Sequence, residues 1–276
     1  MADSGTGLDR RQVLAFRALR HGAAGRRPRA DLVEAVRTIG LRRTKQAALT
    51  LAARLRGVEP GTLTEALGSE EVVAFYGARG TIMVAPPADV PALAIGTAPT
   101  DEASLRAALP GAFLRHLDAA SVSATDGLRS VMDAVHRVLA DGPLPLGDTA
   151  QAVTRAVPTA LAPPCRGRCP DPHVEDSLFR LAGVNGVMRF EGDGDVLVAT
   201  DPPPENDRRE LRSDLVRRYL SCYGPSGPEA LAAWAGIGRP DARKSLDALG
   251  GEGVGVEVSG RGLLLHIDAE GRPTPR

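Results

Sequence analysis

Apolar residues recur at helical spacing along the first part of the chain and then give way to two short apolar runs. Side chains three or four positions apart share one face of a helix, so this spacing predicts helices, with Leu49 among the inward residues of the third. The predicted helices cover residues 8–22, 30–39, 44–55 and 62–68. The runs 72–76 and 81–85 flank a Gly-containing turn at 77–80, which predicts a β-hairpin.

The same order of helices followed by a hairpin recurs twice. The second copy has predicted helices at 126–139, 148–157 and 174–183, with Asp148 as the expected N-cap of the middle one, and a hairpin at 187–199. The third copy has predicted helices at 209–223, 227–235 and 239–249, and a hairpin at 254–267. Three helices followed by a hairpin are typical of a winged helix-turn-helix unit.

We therefore predict a mainly α fold with small β-hairpin wings, an α+β protein built from three tandem winged helix-turn-helix units. The units are expected over residues 8–95, 126–200 and 209–268, followed by a polar tail over 269–276. Tandem winged helices favour binding to duplex DNA. The alternatives are a regulatory module that binds DNA without catalysis and a protein-interaction scaffold that does not bind DNA.

The distribution of charge supports the nucleic-acid interpretation. The chain has equal numbers of basic and acidic residues, but its first 60 residues carry 13 basic and 5 acidic side chains, whereas the remainder carries 21 and 29. A concentrated positive face attracts phosphate groups. The candidate phosphate contacts are Arg27, Arg42, Arg43, Lys45 and, at the first wing, Arg79. A solvated helical surface would give the same pattern and stays open.

Composition excludes several other classes. With 43% hydrophobic and 25% charged residues among its 276 positions the chain can bury a core, so a wholly disordered protein is excluded. No apolar run reaches the roughly 18 residues of a membrane span, and the amino terminus lacks the pattern of a signal peptide. Three cysteines do not make a disulfide framework. We expect a cytoplasmic monomer that does not interact with membranes.

Several segments, in order, resemble the AlkZ-like DNA glycosylases, a bacterial winged-helix family. The resemblance rests on four segments. The first two are Arg79-Gly80-Thr81, followed by an apolar run and Ala88-Asp89, and the helix end AARL at 52–55. The others are CRGRCPDPHVEDSLFRLAG at 165–183 and the stretch at 215–249, in which YGP precedes a helix with WAG. The resemblance covers residues 8 to 258. It implies a role in DNA repair, through excision of bulky alkylated bases or unhooking of crosslinks.

Two departures from the family mark this chain as a divergent member. The family's Gln-x-Gln or Gln-x-Asp pair follows a Gly-Leu, and anchoring on Gly40-Leu41 puts Arg42 and Thr44 at the two positions. Counting back from Arg54 shifts the frame by about two residues and also gives no glutamine pair. Arginine offers donors and no acceptor, so Arg42 is unsuited to orient a water. Any excision would rest on Gln46 or Asp31, although Asp31 also fits a solvated helix cap. The family's later strands with LLP-x-FD are missing, which indicates a shortened member.

A possible metal site lies in the Pro-rich loop before the predicted helix at 174–183. Cys165, Cys169 and His173 are spaced closely enough to bind Zn²⁺, but a structural zinc site takes four ligands and the loop supplies three. Two buried cysteines beside a cap-region histidine would explain the same residues. We therefore expect no cofactor, with zinc at this loop as the alternative. Met83, where the family often has histidine, is expected to pack in the core.

Overall fold

A computed structural model describes residues 7–22, 25–37, 40–44, 46–164, 171–204 and 207–266 of the chain. Helices and small sheets together make it a mixed α+β protein. The helices of the described part are α1 Arg10–Arg20, α2 Leu32–Arg37, α3 Ala47–Ala52, α4 Thr62–Gly68, α5 Val90–Ala94, α6 Glu102–Ala108, α7 Gly111–Ala119, α8 Ala124–Leu139, α9 Leu146–Ala156, α10 Asp176–Val184, α11 Arg208–Tyr223, α12 Pro228–Ala235 and α13 Arg239–Asp247.

The strands form two sheets. They are β1 Gly7–Leu8, β2 Leu41–Arg42, β3 Val73–Tyr76, β4 Ile82–Ala85, β5 Leu144–Pro145, β6 Met188–Glu191, β7 Val196–Ala199, β8 Gly253–Val258 and β9 Arg261–His266. An antiparallel six-stranded sheet has the order β2-β4-β3-β6-β7-β5, and a three-stranded sheet has the order β1-β8-β9 with β1 parallel to β8. The hairpins β3–β4 and β6–β7, predicted as separate wings, meet edge to edge where Ala74 pairs with Phe190.

The main hydrophobic core lies between the six-stranded sheet and the helices that cover it. Val131 and Val135 of α8, Leu178 of α10 and Leu197 of β7 are all completely buried there. The spacing of Val131 and Val135 is one helical turn, which is why the amphipathic pattern of α8 predicted the helix correctly. Ser123 caps this helix, because its hydroxyl accepts a hydrogen bond from the backbone N–H of Asp126 at 3.0 Å.

A second core joins α11, α12 and α13, where Val216, Leu220 and Leu231 are completely buried. A third cluster brings Leu215 of α11 against the sheet residues Phe75 and Met83. Met83 is 7% exposed, so its predicted place in the core is confirmed. None of the helices in the described ranges is both long enough and apolar enough to cross a membrane.

Three local expectations were wrong. Leu49 is 70% exposed rather than inward, because the buried face of α3 is formed by Ala47 and Leu51, one turn apart, and Leu49 lies on the opposite side. Asp148 lies in the first turn of α9, which begins at Leu146, two residues before the expected start, and the N-cap is Pro145. The helices α6 and α7 occupy a stretch for which no element was predicted.

Candidate nucleic-acid interface

The strand β2 follows Gly40 and contains Leu41 and Arg42, from the stretch that the sequence analysis singled out. Gly40 enters it with φ +73°, and a Cβ there would lie 3.1 Å from Met83 Cε and 3.2 Å from the Val84 carbonyl oxygen. Glycine is therefore needed for both the backbone conformation and the close approach to β4. Leu41 is buried opposite Val84, while Arg42, opposite Met83, is exposed.

Arg42 presents its guanidinium to solvent. Within the described part of the chain its side chain takes part in no hydrogen bond or ion pair. Thr44 and Gln46, two and four residues further, are exposed as well. We call the exposed side chains of Arg42, Thr44 and Gln46 the β2 surface. It offers a cationic donor, a hydroxyl and an amide, which together can bind phosphate oxygens and orient a water.

Arg43, by contrast, is held against the hairpin β6–β7. Its guanidinium lies 3.4 Å from Asp195 Oδ1 and 3.6 Å from Asp193 Oδ1, and it donates to the carbonyl groups of Asp193 and Gly194. The same group lies 5.6 Å from the centre of the Phe190 ring. Its contacts therefore join β2 to the second hairpin. The acidic run at 191–195 was the sequence signal for this pairing, and sequence reasoning missed it.

Gln46 caps the start of α3 through its backbone and leaves its side chain exposed. The backbone N–H of Gln46 donates to Thr44 Oγ1 at 3.3 Å, and its carbonyl accepts from the Thr50 hydroxyl at 3.1 Å. Asp31 is half-buried in the short 3₁₀ turn Arg29–Asp31 before α2. Lys45 lies outside the described residues.

Arg27 is exposed on a short segment that bridges to the end of α3. Its backbone N–H donates to the Arg54 carbonyl at 2.8 Å, and its carbonyl accepts from Arg56 N–H at 2.7 Å. A cavity of about 90 Å³ separates this segment from Leu41, and His21 forms part of its wall. Burial, then the charge of Arg54 and then that of Arg17, lowers the pKa of His21 below its usual range. Burial is the main cause of the lowered pKa, and the two arginines add a smaller contribution of their positive charge.

Arg79 lies in the turn between β3 and β4 with φ +58° and an exposed side chain. This turn leaves the sheet at the same end as the β2 surface, because Arg43 N–H donates to the Ile82 carbonyl at the start of β4. On its other side the turn meets Gly236 at the end of α12, where a Cβ would lie 2.6 Å from Arg79 Cγ. Arg42 and Arg79 therefore flank one end of the sheet.

The structure places one of the three metal candidates. His173 is half-buried, with Nδ1 at 2.9 Å from the carbonyl oxygen of Val174. Cys165 and Cys169 lie outside the described residues, so zinc at this loop stays a prediction. Among the residues that the structure describes, no group of three or more His, Cys, Asp or Glu side chains is placed to bind a metal ion.

Comparison with known proteins agrees with the resemblance in the sequence. A family model described as DNA glycosylase AlkZ-like matches residues 18–276. Among solved structures, the Streptomyces sahachiroi DNA glycosylase AlkZ is similar, with a TM-score of 0.71 and 17% sequence identity over 95% of this chain and 70% of that chain. At this identity the likeness concerns the fold alone. No curated protein matches the chain.

Proposed function

This chain belongs to the AlkZ-like DNA glycosylase family, and on that premise we propose that it binds duplex DNA in the repair of alkylated or crosslinked bases. The observation that carries the proposal is the exposed guanidinium of Arg42, which has no partner among the described residues. The resemblance, anchored on Gly40-Leu41, implies that this residue stands where the family has its first glutamine. An arginine in that setting attracts a backbone phosphate. Arg27 and Arg79 extend the contact, and Arg43 holds β2 in place.

The proposed architecture is three winged-helix units over residues 8–95, 126–200 and 209–268 in a monomer. The β3–β4 and β6–β7 hairpins would then be wings that share one sheet, with β8–β9 as the third. A protein with several units on one duplex makes many phosphate contacts. Its affinity should fall by about a thousandfold between roughly 50 and 200 mM salt for six contacts.

Excision, in this proposal, uses Gln46 to orient the water. Arg42 has no acceptor and its charge repels a cationic base such as N7-alkylguanine, so catalysis at this site is weak. The same observation favours a second candidate function, a regulatory module that binds DNA without catalysis. The two functions differ in whether abasic sites form.

The test combines binding and excision on the same duplexes, intact, N7-alkylated and crosslinked. Arg42→Gln should accelerate abasic-site formation and lower the salt dependence of binding by about one ion. The matched control is Arg115→Gln on the exposed side of α7, which should change neither. Binding without excision by parent and variant would establish the regulatory module. Absence of binding to every duplex would overturn the proposal.

A further inference from the structure

A second basic site lies away from the β2 surface. A cleft of about 490 Å³ is bounded by the start of α11, by α13 and by the segment 99–100. We call it the α11–α13 cleft. Its charged residues are Arg208, Arg209, Arg212, Lys244 and Asp241. Four cations face one carboxylate in the cleft, and Asp101 lies near enough to Lys244 for their charges to interact. The net charge stays positive in a space large enough for a phosphate group and an attached sugar.

Arg212 is the buried member of this group. It is 9% exposed, and one guanidinium nitrogen donates to the carbonyl of Ala98. Its Nε is buried, and no atom of the described residues accepts a hydrogen bond from it. Burial lowers the pKa of Arg212, an effect that Asp241 opposes and Arg208 reinforces. Burying a cation without full compensation is costly, and an anion in the cleft would offset that cost through its negative charge.

The arginines of α11 divide into two groups. In the second half of the helix, Arg217 lies 2.7 Å from Glu252, and Arg218 lies 2.8 Å from Asp214 and 2.9 Å from Asp89. Around the cleft, Arg209, Arg212 and Lys244 form no ion pair with any described residue. On α11, the arginines without an ion pair to a described residue, Arg209 and Arg212, thus lie at the end of the helix that lines the cleft.

Helix electrostatics make this arrangement unfavourable without a ligand. The amino-terminal end of a helix carries a partial positive charge, and cations in its first turn are repelled. Arg208 and Arg209 lie in the first turn of the 16-residue α11 together with the acidic Glu210, and Arg212 begins the second turn. The same end favours a bound anion. The helix end and the side chains therefore favour the same ligand.

We propose that the α11–α13 cleft binds a phosphate group, with Arg209, Arg212 and Lys244 as its cationic contacts. The phosphate belongs either to a nucleic-acid strand or to a free nucleotide or phosphate ion. This site is separate from the β2 surface, and its binding of inorganic phosphate does not depend on the proposed function. Asp241 limits the affinity, because its carboxylate repels the anion.

The test measures the melting temperature in sodium phosphate against sodium chloride at equal ionic strength. Phosphate should raise the melting temperature of the parent protein, since a ligand of the folded state stabilises it. A double variant, Arg209→Gln with Lys244→Gln, should weaken phosphate binding by roughly tenfold for each lost charged contact. Arg115→Gln with Arg129→Gln removes the same charge from exposed helix positions elsewhere and should leave binding unchanged. Asp241→Asn should strengthen binding several-fold.

Oligonucleotides then identify the source of the phosphate. If the cleft variant binds duplexes with and without a 5′-phosphate more weakly than the parent protein does, the cleft binds a backbone phosphate. If only its binding to the phosphorylated duplex is weaker, the cleft binds a terminal phosphate. If phosphate and a nucleoside monophosphate stabilise the parent protein but the cleft variant binds duplex normally, the ligand is a free phosphate compound. This result would support the site even if the proposed function failed. Equal phosphate stabilisation of the cleft variant and the control, or none in the parent protein, would overturn the site.

Discussion

The β2 surface and the α11–α13 cleft both concentrate positive charge, but they differ in how far the charged side chains are exposed to solvent. Arg42 is exposed to water and needs no partner in the free protein. Arg212 is buried, with a donor that no described residue satisfies. An exposed cation binds a phosphate reversibly and with strong salt dependence, whereas a buried one is shielded from salt. The degree of burial therefore separates the surface that we propose to contact a duplex from the site that we propose to hold one phosphate.

The largest effect is expected at Gly236, which packs against Arg79 in the turn beside the β2 surface. Gly236→Ala would place a Cβ 2.6 Å from Arg79 Cγ and 3.2 Å from Arg79 Cα, with φ at +77°. Backbone strain and overpacking together should cost about 2–4 kcal/mol of unfolding free energy, measured by urea unfolding. Gly250→Ala is the matched control, since Gly250 has φ +52° and open space around it. Equal losses in both variants would show that the contact with Arg79 contributes nothing.

The next largest effect is a difference in unfolding free energy between variants of the neighbouring Arg43 and Arg42. Arg43→Met removes two ion pairs and the contact with Phe190, from a side chain that is 16% exposed. It should lower the unfolding free energy by about 2 kcal/mol. Arg42→Met should change it by less than about 0.5 kcal/mol, because the side chain has no partner among the described residues, and should instead weaken duplex binding. The reverse order of stabilities would contradict the assignment of Arg43 to a structural role.

The smallest effect is a pH dependence from His21. Because its pKa is depressed in the folded protein, the unfolded chain takes up the proton at higher pH. The contribution to stability is therefore complete above the usual histidine pKa and is lost as pH falls below it. Unfolding curves at several pH values should show this loss, and His21→Asn should reduce it. Bound duplex should raise the pKa of His21, which NMR titration can follow. An unchanged pKa of His21 in the presence of duplex would show that His21 lies outside the DNA interface.

Much of the fold could be predicted from local patterns, but its long-range pairing could not. The amphipathic face of α8 and the turn at 77–80 were each visible within a few residues. The helices α6 and α7 are short and were missed, although Asp101 and Ser104 form a capping box that marks the first of them. The pairing of Ala74 with Phe190 joins positions far apart along the chain, and no local spacing encodes it.

The candidate sites show the same limit. Arg42 and Arg43 are identical neighbours, so their different fates depend on Asp193 and Asp195 in another hairpin. The α11–α13 cleft was not predicted, because its cations come from the part of the chain where acidic residues predominate. The charge of a segment did not identify a site that is assembled from three elements.

The pairing of β3 with β6 has a consequence for how the protein can be divided. A cut in the segment between them would give two fragments, each with a bare strand edge where its partner had been. Exposed edges of this kind promote aggregation and strand exchange between molecules. The first two hairpins must therefore be produced together, and two fragments expressed in one cell should restore the sheet by complementation. An isolated first unit would not reproduce the intact protein.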